Sequence, residues 1–522
     1  MKPNRSLRSF LALAGSSLLV ASSVNATQFW DGGGGDADWN TAENWVDDTL
    51  PAFNTTAINF GSLNAAGTGF GNVTVPSQFT ANNDLTPGSL IKTIFFGNNG
   101  QASRTDAYTL QGNSIVLGDV INNGIVTTAL AGNAIVSSIE DVIELNMDLG
   151  TAGTHRQIQA SSRHNLRIDG VISGGANVGL LLRTSDSKIT VTNANNSYLG
   201  FTNIAEGLST AAGLVEITSI ADGGENSSIG ASSNAAANLR FNSGFNDTSL
   251  TTLRYIGDTD ASTDRLFTLY GNTAGTNSAI ESSGEGTLSF TNTGAIASGH
   301  ARGRNFYLGG TNTGDNTFAP TLSDFNVTEL ATFTKQGAGK WIITGDHSYT
   351  GATTVSEGTL LINGSTSTTS IVSVASGATL GGLGIVGGDA TIAGNLSPGQ
   401  SPGTLTFSNA RTLNSGATYI FEAGDLVDVG GTLTLTNNWT LELGTGFQDG
   451  GSILLFTYGL DGGFDLDPTF NTDNLGFTPT GALTLTDNGS GSIFLNGVSA
   501  IPEPSVALLG ALGMLALLRR RR

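Results

Sequence analysis

Phe333-Thr334-Lys335-Gln336-Gly337-Ala338-Gly339-Lys340-Trp341-Ile342-Ile343-Thr344-Gly345 opens the most regular stretch of the chain. It continues through Tyr349-Thr350-Gly351-Ala352-Thr353-Thr354-Val355 and Glu357-Gly358-Thr359-Leu360-Leu361-Ile362-Asn363-Gly364. Apolar residues alternate with threonine in short runs, which turns one side of each run inward as in a strand. Glycine closes the runs, and Gly358 and Gly364 are expected to use the positive φ that tight corners need. Upstream, Ile189-Thr190-Val191-Thr192, Asn196-Ser197-Tyr198-Leu199-Gly200-Phe201-Thr202, Glu206-Gly207 and Leu214-Val215-Glu216-Ile217 repeat the same grammar more loosely. Strand, Tyr-x-Gly turn, strand, Gly turn, strand is the unit, and its recurrence points to a repeat architecture.

The stretch resembles the autotransporter-associated β-strand repeat, also called the passenger-associated transport repeat. The match is close over Phe333–Gly364 and loose over Ile189–Ile217. The resemblance implies an elongated right-handed parallel β-helix, as in bacterial surface passengers. Stacked turns of about 20–25 residues would give roughly twenty rungs about 4.8 Å apart. Near residue 400 the glycine-cornered pattern gives way to longer alternating runs such as Thr432-Leu433-Thr434-Leu435. The expected organisation is therefore a degenerate solenoid over 27–330, the repeat region over 331–400 and a β-rich C-terminal cap over 401–500, between address segments at 1–26 and 501–522.

Composition supports an all-β body. The 522 residues include 73 glycines, only 12% charged residues and no cysteine. Coiled coils and helical bundles need far more Glu, Lys, Ala and Leu, and 38% hydrophobic residues argue against disorder throughout. Disulfides, thiol catalysis and cysteine-bound zinc are excluded. The net charge is −20; without the two address segments, which hold seven of the 22 basic and one of the 42 acidic residues, it becomes about −26. Such a body repels phosphates, so no nucleic acid partner is expected.

The first segment has the form of a signal peptide: basic Lys2, Arg5 and Arg8, an apolar Phe10–Val20, and Val24-Asn25-Ala26, with cleavage expected after Ala26. The last reads Ile501-Pro502-Glu503-Pro504, an apolar Ser505–Leu518, then Arg519, Arg520, Arg521 and Arg522. Arginine clusters resist translocation, which makes those four a stop-transfer signal. The apolar run would be about 21 Å long as helix, against a hydrocarbon core of about 30 Å, so the expected transmembrane helix is short and its anchoring of the chain in the inner membrane transient. Pro-Glu-Pro, short apolar helix and basic tail together resemble the PEP-CTERM sorting signal. That resemblance implies an exosortase-like processing enzyme as partner, with Pro502, Glu503 and Pro504 as its recognition motif, in a Gram-negative, biofilm-forming setting.

Close to the N-terminus, Trp30, Trp39 and Trp45 fall within a Gly- and Asp-rich segment. The cluster reads as a plug for the open end of a solenoid. A glycan-stacking platform, or a calcium loop through Asp31, Asp36 and Asp38, is the alternative, although Ala37 breaks the G-G-x-G-x-D spacing. His155 and His164 lie among Arg156, Arg163 and Arg167, a basic stretch that reads as a solvated turn that could meet an acidic polysaccharide. His347 reads as solvent-exposed. Asp47 and Asp48, on a strand, would point to opposite faces. No nucleophile elbow, zincin motif or P-loop occurs. The sequence thus reads as a non-enzymatic, cofactor-free exported adhesin-like or matrix protein at the cell surface, with exopolysaccharide or envelope components as candidate partners. A β-helix polysaccharide lyase or glycosidase, and a calcium- or glycan-binding module, are the competing readings.

Overall fold

The computed structural model describes residues 28–60, 79–96, 107–123, 140–161, 165–206, 213–243, 250–271, 276–300, 303–399 and 402–501. Ala26, Pro502, Glu503, Pro504 and Arg519–Arg522 lie outside them, as do Arg163 and His164. No α-helix occurs among the described residues, and nearly every strand pairs in parallel with the strand one turn later. The chain forms a parallel β-helix with three faces.

Face A starts at Gln28–Phe29 and runs through His155–Ser161, Gly179–Ser185 and Thr202–Glu206 to Ala297–Ser298. Isolated bridges carry it on from Ala295 to Thr321 and from Asp346 through Ser365 to Ile385. Face B includes Asn165–Ile168, Arg304–Gly310, Ala331–Lys335, Thr353–Val355 and Val372–Val374. Face C extends from Ala261–Thr263 through Lys340–Ile343 and Thr359–Ile362 to Thr469–Asn471.

Register shows how strictly the turns stack. Phe333 pairs Thr353, Thr353 pairs Val372, and Val372 pairs Ala390, so the repeat region closes each turn within a short and nearly constant run of chain. Upstream turns are longer: Leu253 pairs Ile280, Ile280 pairs Leu308, and the turn from Val215 to Leu253 is the longest of these. The surplus lies in the corners, so the uniform spacing assumed for the expected rungs does not hold.

Side chains on one side of each strand form columns in the interior. On face B the column passes through Phe306, Phe333, Thr353, Val372 and Ala390, all buried. Phe267, Phe290, Phe306 and Phe318 pack with ring centroids 5.3–6.3 Å apart where the turns are wide. Small and β-branched residues replace them where the turns shorten, from Thr353 through Val372 to Ala390.

Both ends are closed. Trp30, Trp39 and Trp45 are buried against Phe53 and Phe60, with ring centroids 5.3–6.0 Å apart, and form the plug at the N-terminal end. At the other end parallel pairing continues well past residue 400, through Thr440–Leu443 to Thr469–Asn471. The long strand Phe447–Phe464 then pairs in parallel with Leu426–Leu435 and antiparallel with Ser492–Ala500, which also pairs Thr484–Asp487. This antiparallel sheet ends the parallel stack.

The corner glycines work in two ways. Gly358 has φ +65°, as its position implied, and a Cβ there would also overlap the carbonyl oxygens of Gly337 and Gly339. Gly364 does not use positive φ; a Cβ there would overlap the carbonyl oxygen of Gly345 in the preceding turn. Its requirement is close approach of two backbones. Gly358→Val and Gly364→Val should each lower stability by roughly 1–3 kcal/mol, read from denaturant midpoints. Asparagine, although it tolerates positive φ, should rescue neither site, because its Cβ would meet backbone carbonyls of the preceding turn at both.

Candidate functional site

The repeat is built around a clasp between successive turns. The Leu322 N–H donates to His347 Nδ1 at 3.0 Å, and the Ser348 N–H donates back to the Leu322 carbonyl at 3.0 Å. Tyr349, buried, shares a hydrogen bond with Thr353 at 2.6 Å, and Thr353 with Ser370 of the next turn at 2.8 Å. The upstream copy repeats this geometry. There the Ile172 N–H donates to Asn196 Oδ1 at 2.7 Å, the Ser197 N–H donates to the Ile172 carbonyl at 2.9 Å, and Tyr198 bonds Thr202 at 2.7 Å. Gly200 and Gly351 occupy matching places, where a Cβ would overlap the carbonyl oxygen of Val178 or Ala331. The kinship of the two stretches is therefore geometric.

This arrangement corrects the expectation that His347 is exposed. It is buried beside Phe333 and Tyr349, where it takes the acceptor role that Asn196 fills upstream. Desolvation pushes its pKa down to about 4, so the ring is neutral at pH 7 with its proton on Nε2. It is a structural group rather than part of a catalytic relay.

Lys335 and Arg411 occupy interior positions in two adjacent columns of face B, places that composition alone would give to apolar residues. Lys335 donates to the carbonyls of Gln336, Gly337 and Glu357 at 2.6–3.0 Å, tying two corners together, and burial lowers its pKa to about 8. Arg411 is fully buried with no acceptor for any guanidinium nitrogen among the described residues, its Cζ 5.2 Å from the Phe407 ring and 5.4 Å from Phe456. Desolvation lowers its pKa to about 9.

Face B carries a ladder of charge outside. Arg167, Thr190, Glu216, Arg254 and Glu281 follow one another in register. Glu216 meets Lys188 at 2.9 Å and Arg254 at 3.3 Å, and Arg254 meets Glu281 at 2.7 Å. Partners so far apart in the chain carry no sequence signal. Arg167 belongs to this ladder through Glu140 and Asp169. Arg156 instead donates Nε to the Leu117 carbonyl at 2.7 Å, within the strand His155–Ser161. The expected basic turn is thus divided between two faces.

The N-terminal acids are committed to the chain. Asp36 accepts from the Asp38 N–H, Thr41 and Asn44, Asp38 from Asn82, and Asp31 from the Gly33 N–H. Burial of all three tryptophans leaves no exposed stacking platform there. Asp47 and Asp48 lie in a short turn, both with positive φ, rather than on a strand. Among the described residues no three His, Asp or Glu side chains are grouped to hold a metal ion. A groove of about 630 Å³ is lined by Ser415, Thr436, Asn437, Asn438, Phe464 and the single carboxylate Asp465. In a smaller hollow of about 380 Å³, Asp222 and Asp260 already accept from the backbone N–H groups of Asp264 and Thr287.

The repeat region is thus a parallel β-helix whose successive turns are joined by clasps. The passenger-associated transport repeat model matches residues 333–362, the clasp region itself. The chain is also 43% identical over 160 residues to the adhesin BmaC autotransporter of Brucella suis biovar 1 (strain 1330). That similarity takes in 30% of this chain and 4% of the relative, so the chain spans a small fraction of the relative's length.

The buried charges have measurable consequences. The folded state holds His347 below its unfolded pKa, so its stabilising contribution is complete above about pH 6.5 and lost as pH falls towards 4, up to about 3 kcal/mol. His347→Asn should flatten that part of the stability–pH curve while changing stability at pH 7.5 by less than about 1 kcal/mol. Arg411→Met should raise the denaturant midpoint, by about 1–4 kcal/mol in stability, because an unpaired interior cation is exchanged for an apolar side chain.

Proposed function

We propose that this protein is an exported, non-enzymatic adhesin-like scaffold of the cell surface or biofilm matrix in a Gram-negative-type bacterium. The observation that carries this reading is the 43% identity to an adhesin autotransporter. Its physical counterpart is a stack in which interior columns, corner clasps, the buried Lys335 and the end plug are devoted to holding turns together. Stability in such a stack is a sum of neighbour contacts, which suits a long body exported without cysteines. In this reading Ala26 ends the signal peptide, and Pro502, Glu503 and Pro504 direct an exosortase-like enzyme to the tail. Arg519–Arg522 hold the chain briefly at the inner membrane before processing. Exopolysaccharide or other envelope components are the surfaces it meets.

Cells of a biofilm-forming host carrying the full chain should adhere to glass or to matrix-coated plates more than cells lacking it. Equal adherence would refute the reading. Replacement of Pro502-Glu503-Pro504 by alanines should leave a heavier, membrane-retained form by intact-mass analysis; unchanged mass and release would remove the exosortase step while leaving the adhesive role in place.

A further inference from the structure

Outside face A, five successive turns bring together an unusual column. Phe201 lies against Gly179, where a Cβ would overlap the ring, and Tyr270 lies against Gly299 in the same manner. Between them stands Arg240, its Cζ 3.8 Å from the centre of the Phe201 ring and 5.9 Å from that of Tyr270. Register places these residues on consecutive turns: Gly179 is one residue before the Leu180–Thr202 pair, Asn203 pairs Arg240, Asn242 pairs Tyr270, and Leu269 pairs Ser298. The rings are half-buried. Exposed His155 pairs Gly179 at one end, and exposed His300 meets the edge of Tyr270 at 5.9 Å at the other.

The state of the guanidinium is the informative part. Arg240 Nε donates to the Ala237 carbonyl at 2.6 Å, while its two terminal amino groups have no acceptor among the described residues. Other cations are employed differently. Arg167, Lys188, Arg254 and Lys340 each meet a carboxylate, Arg265 and Lys335 lie inside and donate to carbonyls, and Arg156 commits Nε and both terminal amino groups to the carbonyls of Leu117, His155 and Ala152. In a chain with nearly twice as many acids as bases, a surface arginine clamped in place with both terminal amino groups uncommitted is out of pattern. Stacking also removes most of its freedom in advance, which lowers the entropic cost of capturing a ligand.

We infer that the Phe201–Arg240–Tyr270 column is a binding site for a uronic acid unit of an acidic polysaccharide. The planar fork matches a planar carboxylate in bidentate geometry. Ring edges and exposed Leu199 offer apolar contact to the sugar, and the imidazoles of His155 and His300 offer hydrogen bonds to its hydroxyls. The acidic body disfavours denser polyanions such as nucleic acids or heavily sulfated chains. The inference rests on the surface-display reading and deepens it.

The test is calorimetric titration of the full chain with a hexamer of galacturonate, the neutral galactose hexamer and a sulfated hexamer. Saturable binding of the uronate alone is expected, about tenfold weaker in Arg240→Gln, the worth of a charge-assisted bond, and unaltered in the control Arg254→Gln. Should Arg240→Gln fail to fold, Arg240→Lys keeps the charge and loses the fork, and the same weakening is expected. No uronate binding by the wild type, equal binding by the folded variant, or equal binding of the neutral or sulfated hexamer overturns the inference. Adherence retained without uronate binding would sink this site alone, whereas loss of both would remove the surface reading as well.

Discussion

Everything in this molecule depends on in-register parallel stacking. Each strand offers its backbone N–H and C=O groups to the turns above and below, so a strand is satisfied only when both neighbours are present. A side chain therefore has the same kind of residue position above and below it, and columns rather than individual contacts become the unit of packing. The interior columns of phenylalanine, valine, leucine and isoleucine supply apolar burial. The exterior columns order whatever polar groups they contain.

That constraint explains features that would otherwise look unrelated. Glu216 is held by Lys188 from the preceding turn and Arg254 from the following one. Asn196 and His347, chemically different, do the same task because each supplies an acceptor at one point of the corner. Gly364 is glycine because the turn beneath is too close for a Cβ. Lys335 is tolerated inside because three carbonyls of two adjacent corners converge on its ammonium. A stack must also be terminated, since an open end would template further strands. The tryptophan plug and the antiparallel sheet at Ser492–Ala500 serve that purpose.

The surface has a division of labour. Face B neutralises its charges internally by a ladder of pairs, whereas face A keeps a stacked but unneutralised guanidinium at Arg240.

From the sequence by itself the β-solenoid class was legible, because alternation with period two and glycine corners are local properties of Phe333–Gly364 and Ile189–Ile217. The tryptophan plug was also legible, since three large aromatics in a short segment need somewhere to be buried. Tertiary structure alone decided which residues share a column, because partners lie one turn apart and turn length is far from constant, short between Val372 and Ala390 and long between Val215 and Leu253. For that reason His347 read as exposed and proved buried, Arg156 and Arg167 read as one turn and belong to two faces, and the Phe201–Arg240–Tyr270 column had no sequence signal. Alternation announces a strand, but only the register between turns decides what stands beside it.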